Sequence, residues 1–358
     1  MGNAASKMPT DSKLSHFVPP QWLRNGHLQT IVPNKMRRHT AGRDLASRSS
    51  AETIPTADDD QISIHWSTSG EDPAAILVVL HGLTGCAEAD NVMAVAAKGR
   101  LAGFNVVRVD LRNSQGDHPS IGIGHAGRSE DLHGIIDHVN GRHPGVPIAV
   151  IGFSLGGNIA LKALGEYGPE PPVDLRAAAV ISVPIDLDDA CRAIDRTGNW
   201  IYRNYFLRRL SRRYQIRRQS HPELFPDLDL ARISTIRAWD NAVVAPLSGF
   251  ADAEDYYSRS SALRVIHRVY VPSLIIHAQD DPFIPFDPFR RAELKKNDLL
   301  QLLAPGQGGH VGFFAERNGG SDPDRYWAES RALEFCAERV GLAWPPAQSL
   351  DDLSDTLP

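Results

Sequence analysis

From about residue 60 onward, the chain alternates short apolar runs with turn residues and segments of helix length. The runs cover 74–80, 104–110, 147–153, 177–183, 273–277 and 299–303, and helices are predicted over about 88–102, 131–140, 156–166 and 324–340. This alternation is typical of parallel strands joined by crossover helices. Because the runs are apolar on both faces, helices should cover both sides of the sheet. The pattern therefore predicts an α/β fold with a mostly parallel central sheet.

The stretch from about 185 to 265 interrupts this alternation, since it is rich in arginine and aromatic residues and contains no clear strand. Its position between two strands predicts a helical cap inserted over one edge of the sheet. The chain divides into an irregular N-terminal extension over 1–50 that packs in part, a main domain over 51–345 that includes the cap, and an acidic tail over 346–358. We expect the tail to be frayed.

The overall composition excludes several classes of protein. With 42% hydrophobic residues, the chain can bury a sizeable core, and its net charge of −5 gives no general attraction for nucleic acid. Cys86, Cys191 and Cys336 have neither the spacing of a metal site nor that of a disulfide framework, so we expect a reducing compartment, the cytoplasm. No apolar run approaches the roughly 18–20 residues that span a bilayer.

The N-terminus contains a sequence pattern for lipid attachment. In the segment from Met1 to Lys7, Gly2 matches the acceptor of N-myristoylation and Ser6 matches the residue preferred later in the motif. In a eukaryote, modification of Gly2 would associate the protein with membranes. In a bacterium the transferase is absent and the match is accidental, and the sequence leaves both cases open.

Residues 152–156 read Gly-Phe-Ser-Leu-Gly and match the pattern G-x-S-x-G, in which a serine lies on a tight turn between a strand and a helix. The turn needs small flanking residues because the backbone at the serine is strained. Here the motif follows a predicted strand and precedes a predicted helix, whose first N–H groups would face the reaction centre. Ser154 is therefore predicted to be the nucleophile of an α/β-hydrolase fold.

A serine hydroxyl needs a general base, and the base needs an acid that orients it. In this fold the acid follows the serine in the chain, and the histidine follows the acid. Asp281 comes after a predicted strand and stands four residues before Pro285, so we prefer it to Asp280, which is left as a turn residue or a helper. Among fourteen histidines, His310 lies in a glycine-rich loop after the last predicted strand, where it can bend back to Ser154.

The loop after the first apolar run, residues 81–85, reads His-Gly-Leu-Thr-Gly. In hydrolases of this fold, the corresponding loop contributes one main-chain N–H to the oxyanion hole, and the residue after the nucleophile contributes another. We therefore predict the N–H groups of Leu83 and Leu155 as the two donors, each worth roughly 3–4 kcal/mol to the tetrahedral intermediate. We interpret His81 as a packing and hydrogen-bonding residue of the loop rather than a base.

These motifs and their surroundings resemble those of the YheT-type α/β-hydrolases, a family that also includes the eukaryotic ABHD lipases and the yeast medium-chain ester synthases. The resemblance runs from about Phe17 to about Phe314. Its motifs are WLRN at 22–25, HLQT at 27–30, HGLTG at 81–85, RNSQG at 112–116, HAGRSEDL at 125–132, GFSLGGN at 152–158, WD at 239–240, GF at 249–250, YY at 256–257, DDPF at 280–283 and GGHVGF at 308–313.

The resemblance implies that Ser154, Asp281 and His310 form a catalytic triad, in agreement with the choice made from chain order. It also implies hydrolysis of carboxylic esters, with short- to medium-chain esters, acylglycerols or other lipids as substrates, and calls for no cofactor or metal. Asn113 and Ser114 depart from the family's small Gly-Cys-like pair, in a loop expected to line the acyl pocket. The candidate lining of the substrate pocket consists of His81, Gly82, Phe153 and Asn113.

The predicted cap contains a strongly basic stretch. Between 200 and 218, aromatic and aliphatic residues alternate with the arginines Arg203, Arg208, Arg209, Arg212, Arg213, Arg217 and Arg218. On a helix, this order places an apolar face beside a cationic one. Two interpretations stay open: peripheral contact with an anionic lipid surface or phospholipid head group, or a cap helix whose arginines are solvated or paired with acids.

Three functions compete at this point. The first is an ester hydrolase that works through an acyl-enzyme on Ser154, and the second is an acyltransferase in which an alcohol replaces water. The third is a non-catalytic binding protein of hydrolase fold, against which the complete set of Ser154, Asp281 and His310 argues. The sequence predicts a small-molecule ester or lipid as the partner and no nucleic acid, and it indicates no particular oligomeric state.

Overall fold

The computed structural model describes residues 16–36, 45, 49–68, 72–114, 120–291, 294, 296–317 and 322–344. Within them, one sheet is formed by β1 Ser50–Pro55, β2 Gln61–Ser67, β3 Ala75–Leu80, β4 Phe104–Asp110, β5 Ile148–Phe153, β6 Leu175–Ile181, β7 Ser273–Ile276 and β8 Leu300–Leu303. Across the sheet the order is β1-β2-β4-β3-β5-β6-β7-β8. Strand β2 pairs antiparallel with β1 and β4, and all other neighbours are parallel, so the prediction of a mostly parallel sheet is confirmed.

The six apolar runs predicted as strands are confirmed as β3 to β8, with ends that agree within two residues. Strands β1 and β2 do not follow that pattern. Strand β1 lies at the edge of the sheet and is mostly exposed, so it needs few apolar residues. In β2, the buried residues Ile62, Ile64 and Trp66 alternate with more polar ones. This two-residue period is the signal of a half-covered strand and could have located β2.

The longer helices in the described chain are α1 Gly26–Lys35, α2 Asp90–Leu101, α3 Ser129–Arg142, α4 Leu155–Tyr167, α5 Leu187–Asp195, α6 Trp200–Ser220, α7 Ala253–Ser260 and α8 Trp327–Val340. Shorter helical turns are Gln21–Leu23, Thr197–Asn199, Leu230–Arg232, Ile236–Trp239, Asp240–Val244, Ala245–Leu247, Ala262–Arg264, Ile266–Arg268 and Asp287–Arg290. The helices predicted over 88–102, 131–140 and 156–166 are confirmed as α2, α3 and α4. The last helix begins at Trp327 rather than near residue 324.

Helix α1 lies in the extension that was expected to be irregular. The side chain of Asn25 accepts hydrogen bonds from the N–H groups of His27 and Leu28 and so begins the helix. Upstream of it, the ring of Phe17 packs against those of Phe313 and Trp327, with centroids 5.8 and 5.4 Å apart. The N-terminal segment is thereby attached to the C-terminal part of the main domain.

Helices cover both faces of the sheet. On one face, α3 and α4 contribute side chains such as Leu132 and Ile159 to the core, and on the other α2 and α8 contribute Val95 and Leu333. Strands β3, β4 and β5 are buried along their whole length. A parallel sheet between two helical layers requires this, because no strand face is left to contact water.

Between β6 and β7, the described chain forms only helices and turns, within the stretch predicted as a cap. Its helices enclose an apolar cluster of their own, which includes Leu187, Tyr214, Trp239 and Val243. None of the described helices combines the length and the apolar character needed to cross a bilayer. The lipid-attachment pattern at Gly2 and the acidic tail over 346–358 lie outside the described residues.

Candidate active site

Ser154 lies on the turn between β5 and α4, with a φ of 49° and a ψ of −116°. A positive φ is unusual for a residue with a side chain and marks a strained turn. The flanking glycines make room for it. A Cβ on Gly152 would lie 2.7 Å from the Gly156 carbonyl oxygen, and a Cβ on Gly156 would lie 2.5 Å from the His81 carbonyl oxygen. The strained turn presents the serine hydroxyl at the carboxyl edge of the sheet.

The structure brings together the three residues that were predicted as a triad. His310 Nε2 lies 3.1 Å from Ser154 Oγ, and His310 Nδ1 lies 2.8 Å from Asp281 Oδ2. The three side chains come from separate loops, after β5, β7 and β8. The side chain of Asp281 is fully buried and that of His310 is 10% exposed, so little water reaches the hydrogen bond between them.

Asp281 is held as a carboxylate. Its Oδ1 accepts hydrogen bonds from the N–H groups of Phe283 and Ile284, at 3.1 and 2.9 Å. Burial alone would raise the pKa of Asp281, but the charge and hydrogen bond of His310 and the surrounding donors outweigh burial and lower that pKa. A carboxylate facing Nδ1 favours the tautomer with its proton there, which leaves Nε2 able to accept the proton of Ser154.

Asp280 has a different position from its neighbour. Its Oδ1 accepts a hydrogen bond from the Gly309 N–H at 2.9 Å, directly before His310. Burial raises the pKa of the Asp280 carboxyl, and this main-chain donor opposes the rise. Asp280 therefore supports the main chain of the histidine loop, whereas Asp281 contacts the imidazole.

The N-terminal segment also holds the histidine loop. Thr30 Oγ1 accepts a hydrogen bond from the His310 N–H at 2.9 Å. The Gln29 amide donates to the Phe314 carbonyl oxygen at 3.0 Å and accepts from the Phe314 N–H at 2.9 Å. On the other side, the Phe283 ring lies against the imidazole with centroids 4.2 Å apart. Sequence reasoning missed these supports, although the motif HLQT contained both polar side chains.

Residues 81–85, the HGLTG loop, lie beside the nucleophile. A Cβ built on Gly82 would lie 3.2 Å from Ser154 Cβ. Leu83 and Leu155, whose N–H groups were predicted as oxyanion donors, both line the pocket that contains Ser154. Within the described part of the chain, neither N–H is donated to a protein acceptor. Two main-chain donors are thus available near the serine.

The ring of His81 fastens the HGLTG loop. Its Nε2 accepts a hydrogen bond from the Leu111 N–H at 3.1 Å, so the ring proton is on Nδ1. That Nδ1 lies 2.8 Å from the Gly82 carbonyl oxygen and donates to it. Both nitrogens of His81 therefore bind main-chain groups, in keeping with the interpretation of His81 as a hydrogen-bonding residue of the loop.

A pocket extends from Ser154 beneath the cap. Its lining is mainly apolar and includes Ile123, Leu187, Ile194, Ile236, Val244 and Ile284. Of the predicted pocket residues, His81, Gly82 and Asn113 line it. Phe153 requires a correction, because its side chain is 1% exposed and lies in the core among residues of α2 and α8. Successive residues of a strand face opposite sides of the sheet, so the residue before the nucleophile points into the layer below.

One wall of the pocket is polar. The Tyr257 hydroxyl donates a hydrogen bond to Asp240 Oδ2 at 2.6 Å and lies 2.9 Å from the sulfur of Cys191. Burial raises the pKa of Asp240 to about 7, and the hydrogen bond from Tyr257 and the charge of Arg237 offset this rise only in part. The motifs WD and YY of the resemblance contain Asp240 and Tyr257, but nothing in the sequence indicated that these two side chains meet.

A family model described as the alpha/beta hydrolase family matches residues 77–329, a range that contains Ser154, Asp281 and His310. This chain belongs to that family. The hydrolase is also 30% identical over 333 residues to the protein YheT of Escherichia coli, a match that covers 90% of this chain and 94% of that protein. The resemblance to YheT-type hydrolases is thereby confirmed.

Other relatives of the hydrolase are named as lipases. Human phospholipase ABHD3 is 28% identical over 309 residues, which cover 83% of this chain and 73% of that protein. Monoacylglycerol lipase of Saccharomyces cerevisiae is 29% identical over 277 residues, which cover 73% of this chain and 59% of that protein. These relatives identify the chain as an enzyme of the hydrolase class.

Among solved structures, an esterase of Pyrococcus furiosus superposes with a TM-score of 0.54 at 18% sequence identity, covering 86% of this chain and 98% of that one. Est1E of Butyrivibrio proteoclasticus, solved with ferulic acid bound, gives a TM-score of 0.53 at 14% identity, covering 81% and 99%. At such identities the likeness shows the fold alone, which is that of an α/β-hydrolase.

Proposed function

We propose that this hydrolase cleaves carboxylic esters with Ser154 as nucleophile, His310 as general base and acid, and Asp281 as the orienting carboxylate. The observation that carries the proposal is the continuous hydrogen-bonded chain from Asp281 through both nitrogens of His310 to Ser154 Oγ. A serine on a strained turn has no structural need of such a chain. Ser154 lines a mainly apolar pocket, which suits an acyl substrate.

In the first half of the reaction, Ser154 Oγ attacks the ester carbonyl carbon while His310 Nε2 takes the hydroxyl proton. The carbonyl oxygen becomes an oxyanion that accepts hydrogen bonds from the N–H groups of Leu83 and Leu155. The imidazolium then protonates the leaving alcohol, and the acyl group remains on Ser154. In the second half, water attacks the acyl-enzyme with the same general base, and the carboxylic acid and free Ser154 are released.

The pocket supports an acyl lipid as substrate. Its apolar lining lies between the nucleophile and the cap, where an acyl chain would lose contact with water on binding. The names of the relatives, a phospholipase and a monoacylglycerol lipase, point in the same direction. We propose short- to medium-chain esters of glycerol or glycerophospholipid as the substrate class.

Labelling by a fluorophosphonate probe tests the nucleophile. We expect wild type to be labelled and Ser154→Ala to be neither labelled nor active, while Ser258→Ala, which changes an exposed serine of α7, stays labelled. Labelling that persists in Ser154→Ala would refute the assignment.

A screen of p-nitrophenyl esters of increasing chain length, beside a monoacylglycerol and a phospholipid, defines the substrate. Product analysis with added alcohol separates hydrolysis from acyl transfer.

We also propose that α1 and α6 form the surface that meets the lipid. Trp22, Leu28, Trp200, Ile201 and Tyr205, here called the apolar patch, lie on or next to these two helices and are 43–59% exposed. The helices adjoin, because His27 Nδ1 lies 2.8 Å from the Tyr202 hydroxyl oxygen and the two rings stack. Exposed hydrophobic residues gathered in this way mark an interaction surface.

The charge of α6 indicates an anionic lipid surface. Arg208, Arg209 and Arg212 are exposed on this helix, one to two turns after the apolar patch. Arg217 is buried and Arg218 pairs with Asp227, so the basic face is narrower than the sequence suggested. Helix α6 is also joined to the site, since its Tyr202 contacts Phe283, the residue that lies against His310.

Vesicle sedimentation tests this surface. We expect wild type to bind vesicles that contain phosphatidylglycerol, the double variant Arg208→Ser/Arg212→Ser to lose the preference for anionic lipid, and Ile201→Ser to weaken binding to all vesicles. Arg232→Ser, which removes an exposed cap arginine outside the patch, serves as the matched control. Equal binding of wild type to anionic and neutral vesicles would refute the anionic lipid surface.

A further inference from the structure

The HGLTG loop holds a strained residue next to a proposed oxyanion donor. Thr84 has a φ of +59°, in the left-handed region that β-branched residues rarely enter. Such a conformation is unfavourable and persists only where surrounding contacts enforce it. Thr84 directly follows Leu83, so whatever enforces its conformation also sets the direction of the Leu83 N–H.

On the upstream side, the loop is held from within the main domain. The Gly82 carbonyl oxygen accepts hydrogen bonds from His81 Nδ1 at 2.8 Å and from the Gly85 N–H at 3.0 Å. In a trans peptide, the N–H points opposite to the carbonyl of the same plane. With the Gly82 carbonyl directed at these donors, the Leu83 N–H is directed away from them, to the side of the loop where nothing in the described chain accepts it.

On the downstream side, the loop is held from the cap. Arg213 of α6 reaches into the pocket, and its Nη2 donates to the carbonyl oxygens of Thr84 and Gly85 at 2.8 and 2.9 Å. Arg209 reaches only the Thr84 oxygen, at the longer distance of 3.4 Å, and its guanidinium lies over the Tyr205 ring. Of these two arginines, Arg213 therefore makes the closer hydrogen bonds from the cap to the loop.

The charge of Arg213 matters for this contact. Burial lowers the pKa of Arg213 to about 10, so the side chain still carries its charge at neutral pH. Its hydrogen bonds go to main-chain carbonyls, and charge-assisted bonds of this kind are roughly twice as strong as neutral ones. A neutral side chain of similar length would fill the same space without holding both carbonyls.

We propose that Arg213 is a positioning residue, through which the cap helix α6 keeps the Leu83 N–H directed at the oxyanion. The inference rests on the proposed function, because it takes Leu83 as a donor to the tetrahedral intermediate. It adds that the oxyanion hole is complete only while α6 lies against the HGLTG loop. In this role Arg213 acts on the reaction through the loop rather than by contact with the reacting atoms.

The test compares Arg213→Met with Arg213→Lys and with the control Arg218→Met, which removes a charge from the same helix at a surface ion pair. With a soluble p-nitrophenyl ester, Arg213→Met should lower kcat about 10- to 100-fold and change KM less than about threefold, since the lost interaction belongs to the transition state. Arg213→Lys should recover much of kcat, because one nitrogen makes both contacts. Arg218→Met should behave as wild type.

The affinity for a trifluoromethyl ketone provides a second measurement, which should not change if Arg213 has only a structural role. Its adduct with serine carries an oxyanion, so Arg213→Met should weaken its affinity by the same factor as kcat. Unchanged kcat, or a lower kcat with unchanged ketone affinity, overturns the inference. Should Arg213→Met not fold, as judged by its melting curve, Arg213→Gln carries the same expectations.

Absence of fluorophosphonate labelling in wild type would refute the proposed function itself, whereas a labelled wild type with no effect at Arg213 refutes only the positioning role.

Discussion

Adjacent aspartates in the DDPF motif have different partners. The Asp281 side chain is fully buried and accepts hydrogen bonds from the imidazole of His310 and from two main-chain N–H groups. These donors lower the pKa of Asp281. Asp280 receives the Gly309 N–H and keeps a raised pKa. A difference of one position in the loop thus decides which carboxylate faces His310.

Substitution of each aspartate by asparagine tests this difference. Asp281→Asn should lower kcat by about 10³- to 10⁴-fold, because an amide facing Nδ1 favours the wrong imidazole tautomer. Asp280→Asn should lower kcat less than about tenfold, since an amide oxygen can still accept from Gly309. Steady-state kinetics on a p-nitrophenyl ester measures both. A larger loss for Asp280→Asn than for Asp281→Asn would reverse the assignment.

At the scale of elements, the cap depends on a buried polar contact between helices. Asp240 begins a π-helical turn, Tyr257 belongs to α7 and Cys191 belongs to α5, so three helical segments meet at the Tyr257 hydroxyl. A carboxyl group that is fully enclosed is more stable when protonated, unless nearby charges and donors compensate for the lost water. The raised pKa of Asp240 follows from this position.

The raised pKa predicts how cap stability depends on pH. The folded state keeps a proton on Asp240 up to about pH 7, whereas the unfolded chain releases it near its ordinary pKa of 3.8. The contribution of Asp240 to the free energy of unfolding is therefore fully present below about pH 4 and declines as pH rises towards 7. Asp240→Asn keeps the acceptor for Tyr257 and removes this titration.

Urea denaturation across this pH range measures the effect. The stability of Asp240→Asn relative to wild type should rise between about pH 4 and pH 7, by up to about 4 kcal/mol, and then level off. Asp227→Asn, at a side chain that is 78% exposed, should show no such trend. A constant difference between Asp240→Asn and wild type would mean that Asp240 has the same pKa in the folded and unfolded states.

At the scale of the whole molecule, a buried cation joins the last helix to helix α2. Lys98 of α2 is completely buried, and its Nζ lies 2.8 Å from Glu329 Oε2 of α8 and 3.0 Å from Asp324 Oδ2. The two carboxylates keep the pKa of Lys98 above its ordinary value although burial opposes this. Helix α8 in turn packs on the same face of the sheet as α2.

Lys98→Met should destabilise the fold without changing the site. Removal of the ammonium leaves buried carboxylates without their cation, at a cost of about 3–5 kcal/mol. Urea denaturation should show this loss, while kcat below the unfolding temperature stays near that of wild type. Arg232→Met, which removes an exposed ion pair with Asp229, should cost less than about 1 kcal/mol. Equal stability of both variants would show that the buried pair contributes nothing.

Much of the fold and of the candidate site could be predicted from local patterns in the sequence. Apolar runs predicted β3 to β8 because a strand buried on both faces must be apolar along its length. The glycines around Ser154 and the order of Asp281 and His310 predicted the site, because a strained turn and a sheet edge restrict which residues can occupy them. Strand β1 and helix α1 gave no such signal, since both are partly exposed.

The sequence by itself therefore determined strands β3 to β8, the turn at Ser154 and the choice of Asp281 and His310 for the proposed triad. Only the tertiary structure decided that Phe153 points into the core, that Thr30 and Gln29 hold the histidine loop, and that Arg213 reaches from the cap to the HGLTG loop. The physical reason is that periodicity and turn chemistry act between neighbours in the chain. Contacts across 129 or 280 residues depend instead on how complete helices and strands pack together.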